Sequence, residues 1–337
     1  MAVLGLHAGE LLIGGYIGVQ VFFVLSGFVI TSVLLEEARD THAISLARFY
    51  ARRALRLLPA LGAVIVFVVV LSLVYSEQRW TDHLVRDGAA TIFYFANWLC
   101  LRAGNLPHPL IHTWSLSVEE QFYLFWPPLL AFLVLRRTGY RALLFVSVGG
   151  AVASAALRYV LFTHGSGVNR VYFGTDTRLD AVFAGCALAV VAYAGWLPTD
   201  RRVVGAVRSA ALVGLVVIAW VACTVPRPQP HLYTYGLLAV SAFAVAIIAD
   251  VLLSPEGPSA RMLSWSPLRR VGVISYGLYL WHAPILFALR SALPTASKWV
   301  VAPLMLTISL IVAECSYRYL EQPFLRQKDR FRVKITA

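Results

Sequence analysis

The chain alternates long apolar runs with short polar links, and that alternation limits what it can fold into. A helix needs about 20 mostly apolar residues to cross the hydrocarbon core of a bilayer. Runs of that kind lie near residues 16–36, 59–76, 114–135, 141–162, 177–195, 206–224, 232–253, 272–292 and 299–320. Of the 337 residues 59% are hydrophobic and only 14% are charged, where a soluble domain keeps about a quarter of its residues charged. So few charges cannot cover a water-exposed surface of this size. The expected fold is all-α, a polytopic transmembrane helical bundle of about ten spans with the first truncated. Residues 1–9 are too short to cross, and they read as the outer half of a first helix whose upstream half is missing. The stretch 89–101 is apolar but short, which suits an interfacial or re-entrant piece.

The net charge of +12 does not point to nucleic acid, because the basic residues sit in links between apolar runs rather than on one face. Their distribution instead orients the chain. If the first helix runs outward, most of the 29 basic residues fall on the cytoplasmic side, including Arg52, Arg53 and Arg56, Arg136 and Arg137, Arg201 and Arg202, and Arg269 and Arg270. Both termini are then cytoplasmic. Residues 1–325 read as one membrane domain and 326–337 as a basic cytoplasmic tail, with no internal repeat. The four cysteines are scattered singly and suggest packing rather than zinc or redox chemistry.

Polar residues within apolar helices are expensive and mark function. The richest group runs from His112 to Tyr123, with Ser115 and Glu119 four apart on one helical face. Thr113 or Ser115 can cap this helix, and Glu120 can complete a capping box with Ser117. Glu119, with Ser115 and His112, is expected at the outer membrane boundary. His108 and His112 have metal-like spacing, but Pro107 and Pro109 deny them a common helix, so no metal site is expected. Ser275, Tyr279 and His282 form a polar stripe before Pro284, suited either to a substrate path or to interhelical hydrogen bonding. Asp176, Arg178 and Asp180 lie at a helix start, where acceptor binding and a local ion pair are both open. Glu314, Arg318 and Glu321 share a face as an ion-pair ladder.

The segment His112-Thr-Trp-Ser-Leu-Ser-Val-Glu-Glu-Gln-Phe-Tyr-Leu-Phe-Trp-Pro127 resembles the signature of the acyltransferase 3 family of membrane O-acyltransferases, near its bacterial glycan O-acetylase members. Matching stretches follow one order along the chain: Gly18–Phe28, Arg48–Pro59, Thr175–Asp180, Ser275–His282 and Tyr317–Phe324. The resemblance implies transfer of an acyl group, commonly acetyl, from cytoplasmic acyl-CoA to a hydroxyl of a carbohydrate or glycosylated acceptor. No permanently bound cofactor is expected. The resemblance assigns His7 as the base, and with it Glu119 as the group that orients His7 or stabilises its imidazolium. A neutral histidine suits the removal of a hydroxyl proton near pH 7. The family's arginine upstream of that histidine would precede Met1, and Gln20 stands where members often carry an acid. Arg53 and Arg56, three apart, are expected to hold the CoA phosphates, although topology alone also places arginines there. His112, Ser115, Arg178, Asp180, Tyr279 and His282 complete the expected substrate-binding set. A secondary transporter or flippase is the alternative class, but the repeated halves common in such proteins are not seen. The residues leave open the acceptor (surface polysaccharide, lipopolysaccharide O-antigen, peptidoglycan or a glycosylated metabolite), the acyl length and the oligomeric state.

Overall fold

A computed structural model describes residues 16–75, 83–103, 109–226 and 229–327, and among these no strand occurs. Helices α1 (Ile17–Thr41) and α2 (Leu46–Tyr75) are followed by two short ones, α3 (Leu84–Ile92) and α4 (Ala96–Ala103). A 3₁₀ turn, Ile111–Thr113, leads into α5 (Trp114–Leu135), then α6 (Tyr140–Thr163), α7 (Gly167–Phe173), α8 (Leu179–Tyr193) and α9 (Arg201–Thr224). A π-helical turn, Leu232–Gly236, opens α10 (Leu237–Leu253), and α11 (Pro258–Leu263) and α12 (Ser266–Val273) precede α13 (Ser275–Ala292). Finally α14 (Lys298–Cys315) passes through a second π-helical stretch, Ser316–Glu321, into α15 (Gln322–Gln327).

Among the described residues seven helices are long and apolar enough to cross a membrane, or eight if α12 and α13, bent by 70° to one another, count as one span. The run 177–195 becomes α8, whose 15 residues extend about 22 Å, short of the roughly 30 Å hydrocarbon core. The nine runs expected after residue 9 thus all appear as helices, and the chain is a multi-pass membrane protein. The stub 1–9 lies outside the described residues. The apolar stretch 89–101 is broken into α3 and α4, which turn one face to the bundle through Asn97 and Thr91 and leave Ile92, Phe93 and Phe95 exposed.

Two apolar cores meet at α5. One gathers Phe23 and Val24 of α1, Val118, Phe122 and Trp126 of α5, Val182 and Cys186 of α8 and Val240 of α10. The other gathers Leu61, Val64 and Val68 of α2, Leu116 of α5, Leu278 and Trp281 of α13 and Met305 of α14. The outward faces are apolar too: Val66, Leu73, Phe125, Phe145, Val216 and Trp220 are all exposed. Such faces have no aqueous counterpart in a soluble fold and suit lipid.

Three sequence expectations change here. Pro59 does not open α2, which begins at Leu46, so the basic segment expected as a loop is the helix's first turns. Glu321 leaves the proposed ladder: the π-helical stretch adds a residue to the turn and swings Glu321 inward. There it is buried, accepts from Ser316 (3.2 Å) and approaches Gly277. Glu314 keeps Arg318 (2.5 Å) and gains Arg270. Thr113 does not cap α5, for its hydroxyl donates back to Leu110 O (2.8 Å).

Candidate active site

The first turns of α5 carry the site because they start deep in the bundle. His112, in the 3₁₀ turn, reaches Leu280 O at 3.1 Å, in the second turn of α13. A carbonyl oxygen only accepts, so the bonded His112 Nε2 carries its proton. The Tyr279 hydroxyl donates to His112 O (2.5 Å) and shares a 2.7 Å bond with Ser115 Oγ. With its own proton spent on the carbonyl, Tyr279 accepts from Ser115. His282 Nδ1 donates to Tyr279 O (2.5 Å), and the His112 and His282 rings lie 5.0 Å apart, edge to face. Two pairs expected on different segments, His112 with Ser115 and Tyr279 with His282, therefore form one cluster.

One turn further on, Glu119 is 3% exposed and its Oε1 has no hydrogen-bond partner among the described residues. Around it stand Ser26 of α1, Arg53, Arg56 and Glu120. The Ser26 and Tyr123 hydroxyls are bonded to each other. Glu120 does not form the expected capping box. It receives Arg53 through Nε (3.0 and 3.2 Å) and Nη2, while Ser117 accepts the Ala96 N–H (3.2 Å). Arg53 also lies 3.7 Å from the Tyr123 ring centroid. Arg52 is likewise held, by Glu37 at 3.1 Å, whereas Arg56 is exposed.

These contacts correct the depth assigned to Glu119. The sequence suggested an outer boundary for Glu119 and a cytoplasmic loop for Arg53. The Arg53–Glu120 contact sets both at one level of the bundle, so the two do not stand at opposite boundaries; α2 starts before its arginines, which brings Arg53 to the first turns of α5.

The expected trio near α8 separates. Asp176 pairs with Arg170 outside the spans (2.8 and 2.5 Å), and this bond holds the Arg170 guanidinium above its ordinary pKa. Asp180 is fully buried, with Oδ1 2.7 Å from Arg158 Nη1. That contact is an ion pair without hydrogen-bond alignment, and Arg158 Nη1 also donates to Thr177 O (2.9 Å). Arg178 points into a box of aromatic rings from Phe23, Trp114 and Tyr172. Gln20 is a tie between α1 and α10 through Leu237 O (3.2 Å) and Ser241 Oγ (2.8 Å). His7 lies outside the described residues.

Sequence reasoning missed Arg158, although an arginine deep within the apolar α6, well past Arg141 in its first turn, is the signal that an intramembrane charge gives. It also missed Gln121, which donates to Tyr94 O (2.7 Å) and Asn97 Oδ1 (3.0 Å) and accepts from Thr175 Oγ1 (2.6 Å). No spacing announces that bond set, since its members come from the α3–α4 link, α4, α5 and the α7–α8 link.

Comparison with known proteins follows the same residues. The chain is 35% identical over 320 residues to the peptidoglycan O-acetyltransferase OatA of Listeria monocytogenes, covering 92% of this chain and 51% of the relative. It is 33% identical over 329 residues to the O-acetyltransferase OatA of Staphylococcus aureus, covering 94% of this chain and 53% of the relative. The chain thus spans about half the length of these relatives. No solved structure matches it. The family sequence model described as "Acyltransferase domain" matches residues 2–316, which takes in α1 to α14 and every residue of the Glu119 and His112 clusters, and the chain belongs to that acyltransferase family.

Proposed function

We propose that this chain is a membrane O-acyltransferase that moves an acetyl group from acetyl-CoA to a sugar hydroxyl of a cell-wall glycan of the peptidoglycan class. Buried Glu119, beside the Ser26 and Tyr123 hydroxyls and the α2 arginines, carries this reading. A sugar hydroxyl needs a base at hydrogen-bond distance as it attacks a thioester. His7 is that base in this reading, and Glu119 orients it or stabilises its imidazolium. The Ser115–Tyr279 hydroxyls and His282 line the acceptor's approach. Arg53 and Arg56 form the donor's phosphate site, with exposed Arg56 the member open to a phosphate and Arg53 held by Glu120. The chain sits in the cytoplasmic membrane with both termini inside, so that acyl-CoA arrives at the α2 arginines. The two relatives named for O-acetyl transfer support the acyl group, and the Listeria relative, named for peptidoglycan, supports the acceptor class.

The test is a reconstituted full chain in vesicles, supplied with acetyl-CoA and peptidoglycan oligosaccharides. Acceptor-dependent thiol release is expected, falling about 100-fold or more in Glu119→Gln. Full transfer by that variant removes Glu119 from the chemistry, and an inert parent removes the acyl-transfer reading altogether.

A further inference from the structure

Arg178 is fully buried at the start of α8, and among the described residues none of its three guanidinium nitrogens has a hydrogen-bond partner. Its guanidinium carbon lies 5.5 Å from the Phe23 ring of α1, 5.9 Å from Trp114 of α5 and 5.2 Å from Tyr172 of α7. Ring faces attract a cation, but they do not accept its five N–H groups as oxygen does. The nearby acid, Asp180, stands against Arg158. Two buried guanidinium groups thus share one carboxylate, and the surplus positive charge is Arg178's. A buried charge without partners is costly to keep, so the box is built for an oxygen that none of the described residues supplies.

The end of α8 is not what would bind that oxygen. The Leu179 N–H donates to Thr175 O (3.2 Å) and the Asp180 N–H to Ser154 Oγ (3.0 Å). Only the guanidinium has donors to offer. Its box adjoins both clusters described above. Trp114 precedes Ser115, which bonds Tyr279, and Phe23 lies one turn from Ser26, which faces Glu119.

We propose that Arg178 receives the carbonyl oxygen of the acyl group and holds the negative charge that this oxygen gains during transfer. The proposal rests on the acyl-transfer reading above. In the step, the acceptor hydroxyl oxygen bonds to the carbonyl carbon, its proton passes to the base, and the carbonyl π pair moves onto oxygen beside Arg178. Collapse re-forms the C=O bond and breaks the C–S bond of the acyl thioester. The thiolate takes up the proton and leaves as thiol. A guanidinium stays protonated in any usable pH range, and a donor fixed in a water-poor box acts on developing charge without reorganising. The negative ring faces oppose a full carboxylate resting there, whereas a neutral carbonyl oxygen enters and gains as its charge grows.

The test compares the parent chain with Arg178→Gln and Arg178→Lys in vesicles, reading kcat and KM for acetyl-CoA and for peptidoglycan oligosaccharide. The expected result is a 100- to 1000-fold loss of kcat in Arg178→Gln, a smaller loss in Arg178→Lys, and KM for both substrates within about threefold. A raised acceptor KM with kcat intact means that Arg178 reads a group on the acceptor, and overturns the proposal. Where these variants fail to fold, the parent is assayed with the dithioester analogue of acetyl-CoA, whose sulfur accepts hydrogen bonds poorly. Its kcat should drop by a similar factor, and equal rates with both donors overturn the proposal. A parent that transfers nothing overturns the acyl-transfer reading as well; undiminished transfer by Arg178→Gln overturns this inference alone.

Discussion

Gly27 of α1 and Gly185 of α8 face each other across a contact that leaves room for no side chain on either. A Cβ on Gly27 would fall 1.9 Å from the Val182 carbonyl oxygen, and one on Gly185 would fall 1.9 Å from the Val24 carbonyl oxygen. Both obstacles are backbone and cannot turn aside. Small residues let membrane helices approach this closely. Either Gly→Ala change must separate the helices, at a cost of about 3 kcal/mol. Because α1 brings Phe23 and Ser26 while α8 begins just after Arg178, acyl transfer should fall with stability. Thermal unfolding in detergent checks this, and an unchanged midpoint in Gly185→Ala would contradict the packing.

The Arg53–Glu120 pair predicts an asymmetry between breaking and replacing it. Both side chains are mostly buried, so removing one strands the other's charge. Glu120→Gln alone should cost about 3 kcal/mol. The double change Arg53→Met/Glu120→Gln should recover much of that, because no buried charge remains. A double-mutant cycle read by thermal unfolding gives the coupling, and additive losses would mean that the two groups act independently.

How far the sequence reaches is clearest around this pair. Hydropathy marks the spans because twenty apolar residues in a row have few alternative fates. It hides the start of α2, where Arg48, Arg52, Arg53 and Arg56 dilute the apolar signal and Pro59 looks like a boundary. The extra residue that turns Glu321 inward leaves no trace in a helical period. Local spacing did find Ser115 with Glu119 and Tyr279 with His282, since each pair lies within two turns of one helix. Partners that meet only through tertiary packing, such as Arg158 with Asp180 and Arg53 with Glu120, stayed invisible.

Tyr279 links two helices through one hydroxyl, and the two ends of that link are unequal. Tyr279→Phe leaves the buried His112 carbonyl and the Ser115 hydroxyl both without this partner, at a cost of about 2 kcal/mol. Ser115→Ala leaves the Tyr279–His112 bond intact and should cost about 1 kcal/mol. Unfolding of the two variants tests the order, and equal losses would mean that the bonds do not form a chain.

Asp180 and Arg158 form a buried pair, but losing one is not equivalent to losing the other. Arg158→Met leaves Asp180 facing Arg178, so the region keeps one charge of each sign. Asp180→Asn leaves Arg158 and Arg178 together with no carboxylate, two like charges in a site of low polarity. Removing one partner of a buried pair costs about 3–5 kcal/mol, and Asp180→Asn should stand at the high end or fail to fold. Arg158→Met should be milder in stability yet still harmful to transfer, because Asp180 would then draw Arg178 out of its aromatic box. Expression level, unfolding midpoint and turnover of the two variants decide the matter. An Asp180→Asn protein as stable as Arg158→Met would show that another buried anion balances Arg178.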